Sequence, residues 1–98
     1  MNSKTTIDAY VFDTLMRDLV EHGRKPSAFL VYLFLWHRTF GGARPARLSH
    51  LRISEATGLS KSSVQAAVKM LLRRKLLRTH RATSTATPEY TVLRPWVR

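Results

Sequence analysis

The chain contains no cysteine among its 98 residues, which excludes a disulfide scaffold and Cys-ligated zinc or iron–sulfur sites. Acidic residues are scarce: 6 Asp and Glu stand against 17 Lys and Arg, a formal charge of +11. So large a positive charge on so small a chain points to a polyanionic partner, with nucleic acid first among them. Long apolar runs are missing too. The longest, Ala28 to Trp36, has nine residues, whereas a membrane-spanning helix needs about 20. Met1 to Thr6 is polar and lacks the basic-then-apolar order of an export signal. The expectation is a soluble, cytoplasmic protein.

The usual signatures of catalysis are also absent. No Gly-rich phosphate loop or nucleophile elbow occurs. His22, His37, His50 and His80 lie far apart and show no metal-ligand spacing. Asp8, Asp13 and Asp18 recur every five residues and so do not share one α-helical face. The chain reads as a non-enzyme with no metal, no cofactor and no small-molecule ligand.

What is present suits a single domain. A chain this short builds one hydrophobic core, and 44% of its residues are apolar, the usual globular share. The charge is unevenly placed. The first 21 residues hold Lys4 and Arg17 against Asp8, Asp13, Asp18 and Glu21, and everything after them holds 15 bases against Glu55 and Glu89. The basic function is therefore expected after the first segment.

Ile7 to about His22 predicts an amphipathic helix, with Val11, Phe12, Leu15, Met16, Leu19 and Val20 forming its apolar stripe and Gly23 its stop. Ala28 to Phe40, between Pro26-Ser27 and Gly41-Gly42, predicts a second helix, apolar on every side. Such a helix must be covered on most faces, and a small domain struggles to do so. Part of Ile7–Val20 and Phe29–Trp36 is therefore a candidate homodimer contact. After a loop holding Pro45, a very short strand is expected at Arg47-Leu48. Ser49 caps a third helix running to about Thr57, and Ser60 caps a fourth running to about Lys75. Leu77–Ala82 and Glu89–Leu93 then predict a β-hairpin, with Thr83–Pro88 as its turn and Tyr90 and Val92 on one face.

The informative stretch is Ile53-Ser54-Glu55-Ala56-Thr57-Gly58-Leu59-Ser60-Lys61-Ser62-Ser63-Val64. Gly58 tolerates the positive φ of a tight turn between two helices. Leu59 drops from the turn toward the core, and Ser60 satisfies an orphan N–H of the next helix. The stretch resembles a helix-turn-helix, and the hairpin behind it makes the resemblance a winged one. It is similar to the DNA-binding domains of MarR- and GntR-type regulators and to the initiator domains of some plasmid and phage replication proteins. The resemblance covers about Leu48 to Leu93. One departure is Ser54, where that family prefers alanine for close helix packing. The fold class it implies is mainly α with a small β-hairpin: two N-terminal helices within 7–40, a helix-turn-helix within 48–75 and a wing within 77–93. The 98 residues are expected to be used up by this one domain, with none left for ligand sensing.

The resemblance also implies that the fourth helix enters the major groove of duplex DNA. A helical wheel at about 100° per residue makes an independent test. Val64, Val68, Leu71 and Lys75 cluster on one side. Ser62, Gln65, Ala66, Lys69 and Arg73 project from the other, with small residues for close approach, an amide able to read adenine, and cations for phosphate or guanine. No acid lies between Ser60 and Pro88, although a merely solvated helix usually mixes both signs. The expected DNA contacts are Lys61, Ser62, Ser63, Gln65, Ala66, Lys69 and Arg73 on the helix. The wing adds Arg78, His80, Arg81, Thr83 and Ser84, and Arg47 and Arg52 clamp the backbone, with Arg44 as a further clamp. Arg74 is expected to be structural, and Trp36 and Trp96 to be core or interface. The function expected is binding of double-stranded DNA as a small transcriptional regulator. A replication, partition or conjugation role on plasmid or phage DNA is the first alternative, and a winged helix that binds protein instead of DNA is the second.

Overall fold

The computed structural model describes residues 4–22 and 26–97. Gly23, the expected helix stop, lies outside them. A helical segment at 9–22 is followed by α1 (Pro26–Thr39), β1 (Ala46–Arg47), α2 (His50–Thr57), α3 (Lys61–Arg73), β2 (Leu77–His80) and β3 (Glu89–Val92). The chain is thus mainly helical with a small antiparallel sheet of order β1-β3-β2. Among the described residues no helix is long and apolar enough to cross a membrane.

The first helical segment departs from the expected regular helix. It contains two π-helical stretches, Val11–Leu15 and Asp18–His22. Val11, Leu15 and Leu19 are buried while Phe12, Met16 and Val20 are exposed. Both trios repeat every four residues. At about 100° per residue, four α-helical steps overshoot a turn by about 40°, so a strict four-residue spacing would drift around the helix. The looser π winding takes up that overshoot and keeps each trio in line. The expected stripe of six is therefore split, with half of it in solvent.

Helix α1 is the centre of the molecule. It packs most extensively against α3 and touches the sheet, α2 and the first helical segment. Ala28, Phe29, Val31, Tyr32, Leu35, Trp36 and Thr39 are buried, and only Leu30 among its large apolar residues is well exposed. The monomer thus covers nearly all the apolar surface of Phe29–Trp36 that the sequence offered to a dimer. The polar atoms on this helix are satisfied, as burial demands. Tyr32 donates to the Leu93 carbonyl at 2.9 Å and Trp36 Nε1 to the Thr6 carbonyl at 2.8 Å. Trp96 lies parallel to Trp36 with ring centroids 6.5 Å apart and stacks on Tyr10 at 4.4 Å. The two tryptophans therefore tie the C-terminal segment to the N-terminal one.

The sheet is short but has two distinct faces. Residues alternate between them, and the register sets Ala46 and Thr79 opposite Tyr90, and Leu77 opposite Val92. Ala46, Leu77, Tyr90 and Val92 are buried, so that face packs on the helices. Arg47, Arg78, His80, Glu89 and Thr91 alternate with these and belong to the outer face. The expected strand at Arg47-Leu48 is found one residue earlier. Both hairpin strands are shorter than expected, leaving residues 81–88 as the connection.

The end of α3 corrects the helical wheel. The helix stops at Arg73, and Lys75 turns left-handed with φ +58°. The Lys75 N–H donates to the Leu72 carbonyl at 3.1 Å and the Leu76 N–H to the Leu71 carbonyl at 2.9 Å. This is a Schellman ending, with lysine where glycine is usual. Lys75 is accordingly exposed rather than grouped with Val64, Val68 and Leu71, which are buried along with Ala67 and Met70.

Candidate nucleic-acid interface

The connection between α2 and α3 has the local chemistry its residues require. Ser49 Oγ accepts from the Arg52 N–H at 3.1 Å, and Ser60 Oγ accepts from the Ser63 N–H at 3.1 Å. Each serine thereby caps the helix that follows. Gly58 is left-handed with φ +80° and ends α2 through its N–H to the Ser54 carbonyl at 2.9 Å. Ser54, the departure from the alanine of the resembling family, has a use here. Its hydroxyl donates to the Leu59 carbonyl at 2.6 Å, closing the turn onto α2. Leu59 is half-buried against the core.

On α3 the exposed residues are Lys61, Ser62, Gln65, Lys69 and Arg73, and Ala66 is half-buried beside them. Ser63 is less available than expected. It is half-buried, and its hydroxyl takes a 2.9 Å hydrogen bond from Ser60 Oγ. A cleft of 260 Å³ runs between α3 and the hairpin, bringing Gln65 and Lys69 together with Thr79, Arg81, His50 and Tyr90. His80, expected to join them, borders this cleft, but strand alternation sets it on the outer sheet face with Arg47 and Glu89. A second cleft, of 220 Å³, puts Lys61 near Arg81 across His50 and Pro88. The Arg81 guanidinium donates to the Ser84 carbonyl at 3.2 Å, which steadies the hairpin connection. Thr83 and Ser84 are exposed in that connection.

Two groups in this region carry no sequence signal for it. His50, at the start of α2, shares a 3.2 Å hydrogen bond with the buried Tyr90 hydroxyl. Burial holds the His50 imidazole below its ordinary pKa, and the nearby Arg81 and Lys61 charges push it the same way. Burial raises the Tyr90 phenol above its ordinary value, against a smaller opposing effect of Arg81. At neutral pH both groups are therefore uncharged, and they line the cleft between the cations of α3 and the hairpin. The pairing joins residues 40 positions apart, so no local pattern reveals it. The one hint is that a tyrosine on the buried face of a strand needs a partner for its hydroxyl.

The remaining expected contacts are elsewhere. Arg78 lies on the outer sheet face, lining a different cleft with Thr91 and Arg94. Arg47 is on that face too and donates to Glu89 at 3.1 Å. Arg52 is exposed on α2 but lines neither cleft beside α3. Arg74 is tied down as expected, donating to Asp18 at 2.5 Å. The acidic first segment thus engages cations outside the clefts beside α3, and Asp8 does likewise with Arg94 at 3.3 Å and the Trp96 indole at 3.0 Å. Among the described residues no three His, Asp or Glu side chains gather in a way that could hold a metal ion. Compared with protein-family models, curated proteins and solved structures, the chain matches none.

Proposed function

We propose that the chain is a winged helix-turn-helix protein that binds double-stranded DNA as a small transcriptional regulator in the cytoplasm. In this reading α3 lies in the major groove, and the hairpin grips the backbone or the minor groove. The observation that carries it is the shared cleft in which Gln65 and Lys69 of α3 lie beside Thr79 and Arg81 of the hairpin, with no acid between Ser60 and Pro88. Gln65 has the amide geometry that reads adenine, and Lys69, Arg73, Lys61 and Arg81 supply phosphate contacts. The element order and the sheet order β1-β3-β2 also suit a winged helix, in which the hairpin projects beside the helix that reads the DNA.

A homodimer belongs to the same proposal, because DNA sites for such proteins commonly have two-fold symmetry. Its contact is narrower than the sequence suggested. It centres on Phe12, Met16, Val20 and Leu30, which remain exposed in the monomer. Sedimentation at micromolar concentration that shows only an 11.3 kDa species removes the dimer.

The test of the DNA reading is selection of bound fragments from random duplex DNA, followed by affinity measurement across salt concentrations. An enriched site, with affinity falling linearly on logarithmic axes as salt rises, is the expected result. No enrichment together with salt-independent or absent binding overturns the reading and favours a protein partner.

A further inference from the structure

The outer face of the sheet carries a second cationic surface, centred on an aromatic ring that the duplex-binding proposal does not use. Phe40 follows α1 directly and is 61% exposed. Its backbone is left-handed, with φ +52°, a conformation strained for a bulky side chain. The position is the one after a helix end where glycine is usual. The Gly41 N–H donates back to the Trp36 carbonyl at 3.0 Å, so the turn has a Schellman-type bond without a glycine at Phe40. A glycine there would avoid both the strain and the exposed ring. An outlier of this kind points to use of the side chain.

The loop is held firmly beneath it. Gly42 has φ +94°, and a Cβ added there would fall 2.5 Å from the Val92 carbonyl oxygen. The loop therefore rests directly on β3. Arg44 lies over the Phe40 ring, its guanidinium carbon 4.4 Å from the centroid. The ring separates two clefts. One, of 460 Å³, is lined by Lys4, Arg38 and Arg44; the other, of 320 Å³, by Arg78, Thr91 and Arg94. Among the described residues no carboxylate lines either cleft, although Asp8 pairs with Arg94 at 3.3 Å from outside them. His37 and Arg38 in the last turn of α1 also offset the negative end of that helix.

An exposed phenyl ring flanked on both sides by cations is the arrangement that holds unpaired nucleic acid. A base stacks on the ring, and the strand on either side runs over arginines and lysine. A paired duplex cannot offer the face of a base in this way. We propose that Phe40 is the stacking platform of a second site, which binds single-stranded DNA on the side of the sheet away from α3. Arg44 and Arg78, expected from the sequence to touch the duplex, lie in these clefts and not beside α3, so the site shares no residue with the duplex proposal and stands or falls separately from it. Together the two sites would let one chain hold a duplex and an opened strand, as a protein acting on replicating or melted DNA requires.

Phe40→Gly is the informative variant, because φ +52° suits glycine and folding is not expected to suffer. The probes are a fluorescein-labelled oligothymidylate of about 15 nucleotides and a labelled duplex of about 20 base pairs, read by anisotropy. Phe40→Gly is expected to weaken oligothymidylate binding about tenfold with duplex affinity unchanged, and Phe40→Tyr to retain both. Lys69→Ala is expected to do the reverse of Phe40→Gly. If the wild-type chain ignores oligothymidylate, if Phe40→Gly binds it as tightly, or if Phe40→Gly and Lys69→Ala weaken both probes in parallel, the second site is overturned. If duplex binding is absent while Phe40-dependent oligothymidylate binding persists, the α3 reading fails and this one stands.

Discussion

Helices α1 and α3 are nearly equal in length and pack against each other, yet they do different work. α1 is buried on several sides and exposes one large apolar residue in its middle, Leu30. α3 buries a narrower face, Val64, Ala67, Val68, Met70 and Leu71, and turns Lys61, Ser62, Gln65, Lys69 and Arg73 to solvent. The first is architecture: nearly every other element leans on it. The second offers a free polar face on a fixed mount. In so small a domain, burying most of one helix leaves another to present a polar face, and in the proposed reading that face on α3 carries the DNA contacts. The same substitution size should therefore cost stability in α1 and binding in α3.

The largest effect is expected in α1. Leu35→Ala empties a fully buried site and should lower unfolding free energy by about 2–5 kcal/mol, read from urea denaturation. A loss below about 1 kcal/mol would mean that α1 is not the central support. The matching substitution in α3 should behave oppositely. Gln65→Ala is expected to cost about 1–3 kcal/mol in affinity for an enriched duplex and to relax preference at one base pair, with stability unchanged within about 0.5 kcal/mol. A Gln65 variant that unfolds the protein but binds normally would reverse the comparison.

Smaller effects sharpen it at the joints. Ser54→Ala removes the 2.6 Å bond to the Leu59 carbonyl and should destabilise by about 0.5–1.5 kcal/mol. If alanine were instead neutral or better, the hydroxyl would have no role in setting α3 on α2. Lys75→Gly should stabilise by roughly 0.5–1 kcal/mol, since φ +58° strains lysine and not glycine. The smallest effect is expected at His50. Its folded-state pKa is depressed, mainly by burial, so as pH falls through about 6.5 the unfolded chain takes up the proton first. Stability should drop in that range and level off below the folded-state pKa. His50→Gln should lose this component of the pH dependence of the melting temperature, and an identical profile in the variant would contradict it.

The parts of the fold visible in the sequence are those set by local chemistry. Ser49, Gly58 and Ser60 mark the boundaries of α2 and α3 through caps and a left-handed turn, and the acid-free stretch marks the exposed face of α3. The hairpin follows from alternation at Tyr90 and Val92. What stayed hidden depends on residues far apart in the chain. Whether α1 would be covered depended on the first helical segment, α3 and the sheet all reaching it. The π winding of 9–22 is announced only by a four-residue repeat that also fits an α-helical stripe. Arg78 and His80 read like wing residues beside Arg81, but strand alternation carries both to the other side of the sheet, Arg78 near Phe40 and His80 beside Arg47. The partnership of His50 with Tyr90 exists only once β3 is in place beside α2.

Amide chemical-shift mapping of the isotope-labelled chain, titrated with an enriched duplex at moderate salt, tests the central proposal most directly. The expected shifts fall on Lys61 to Arg73 and on His80 to Ser84, with His50 drawn in through the shared cleft. Shifts confined to the exposed side of residues 9–22, or spread evenly with no preference for α3, would contradict it.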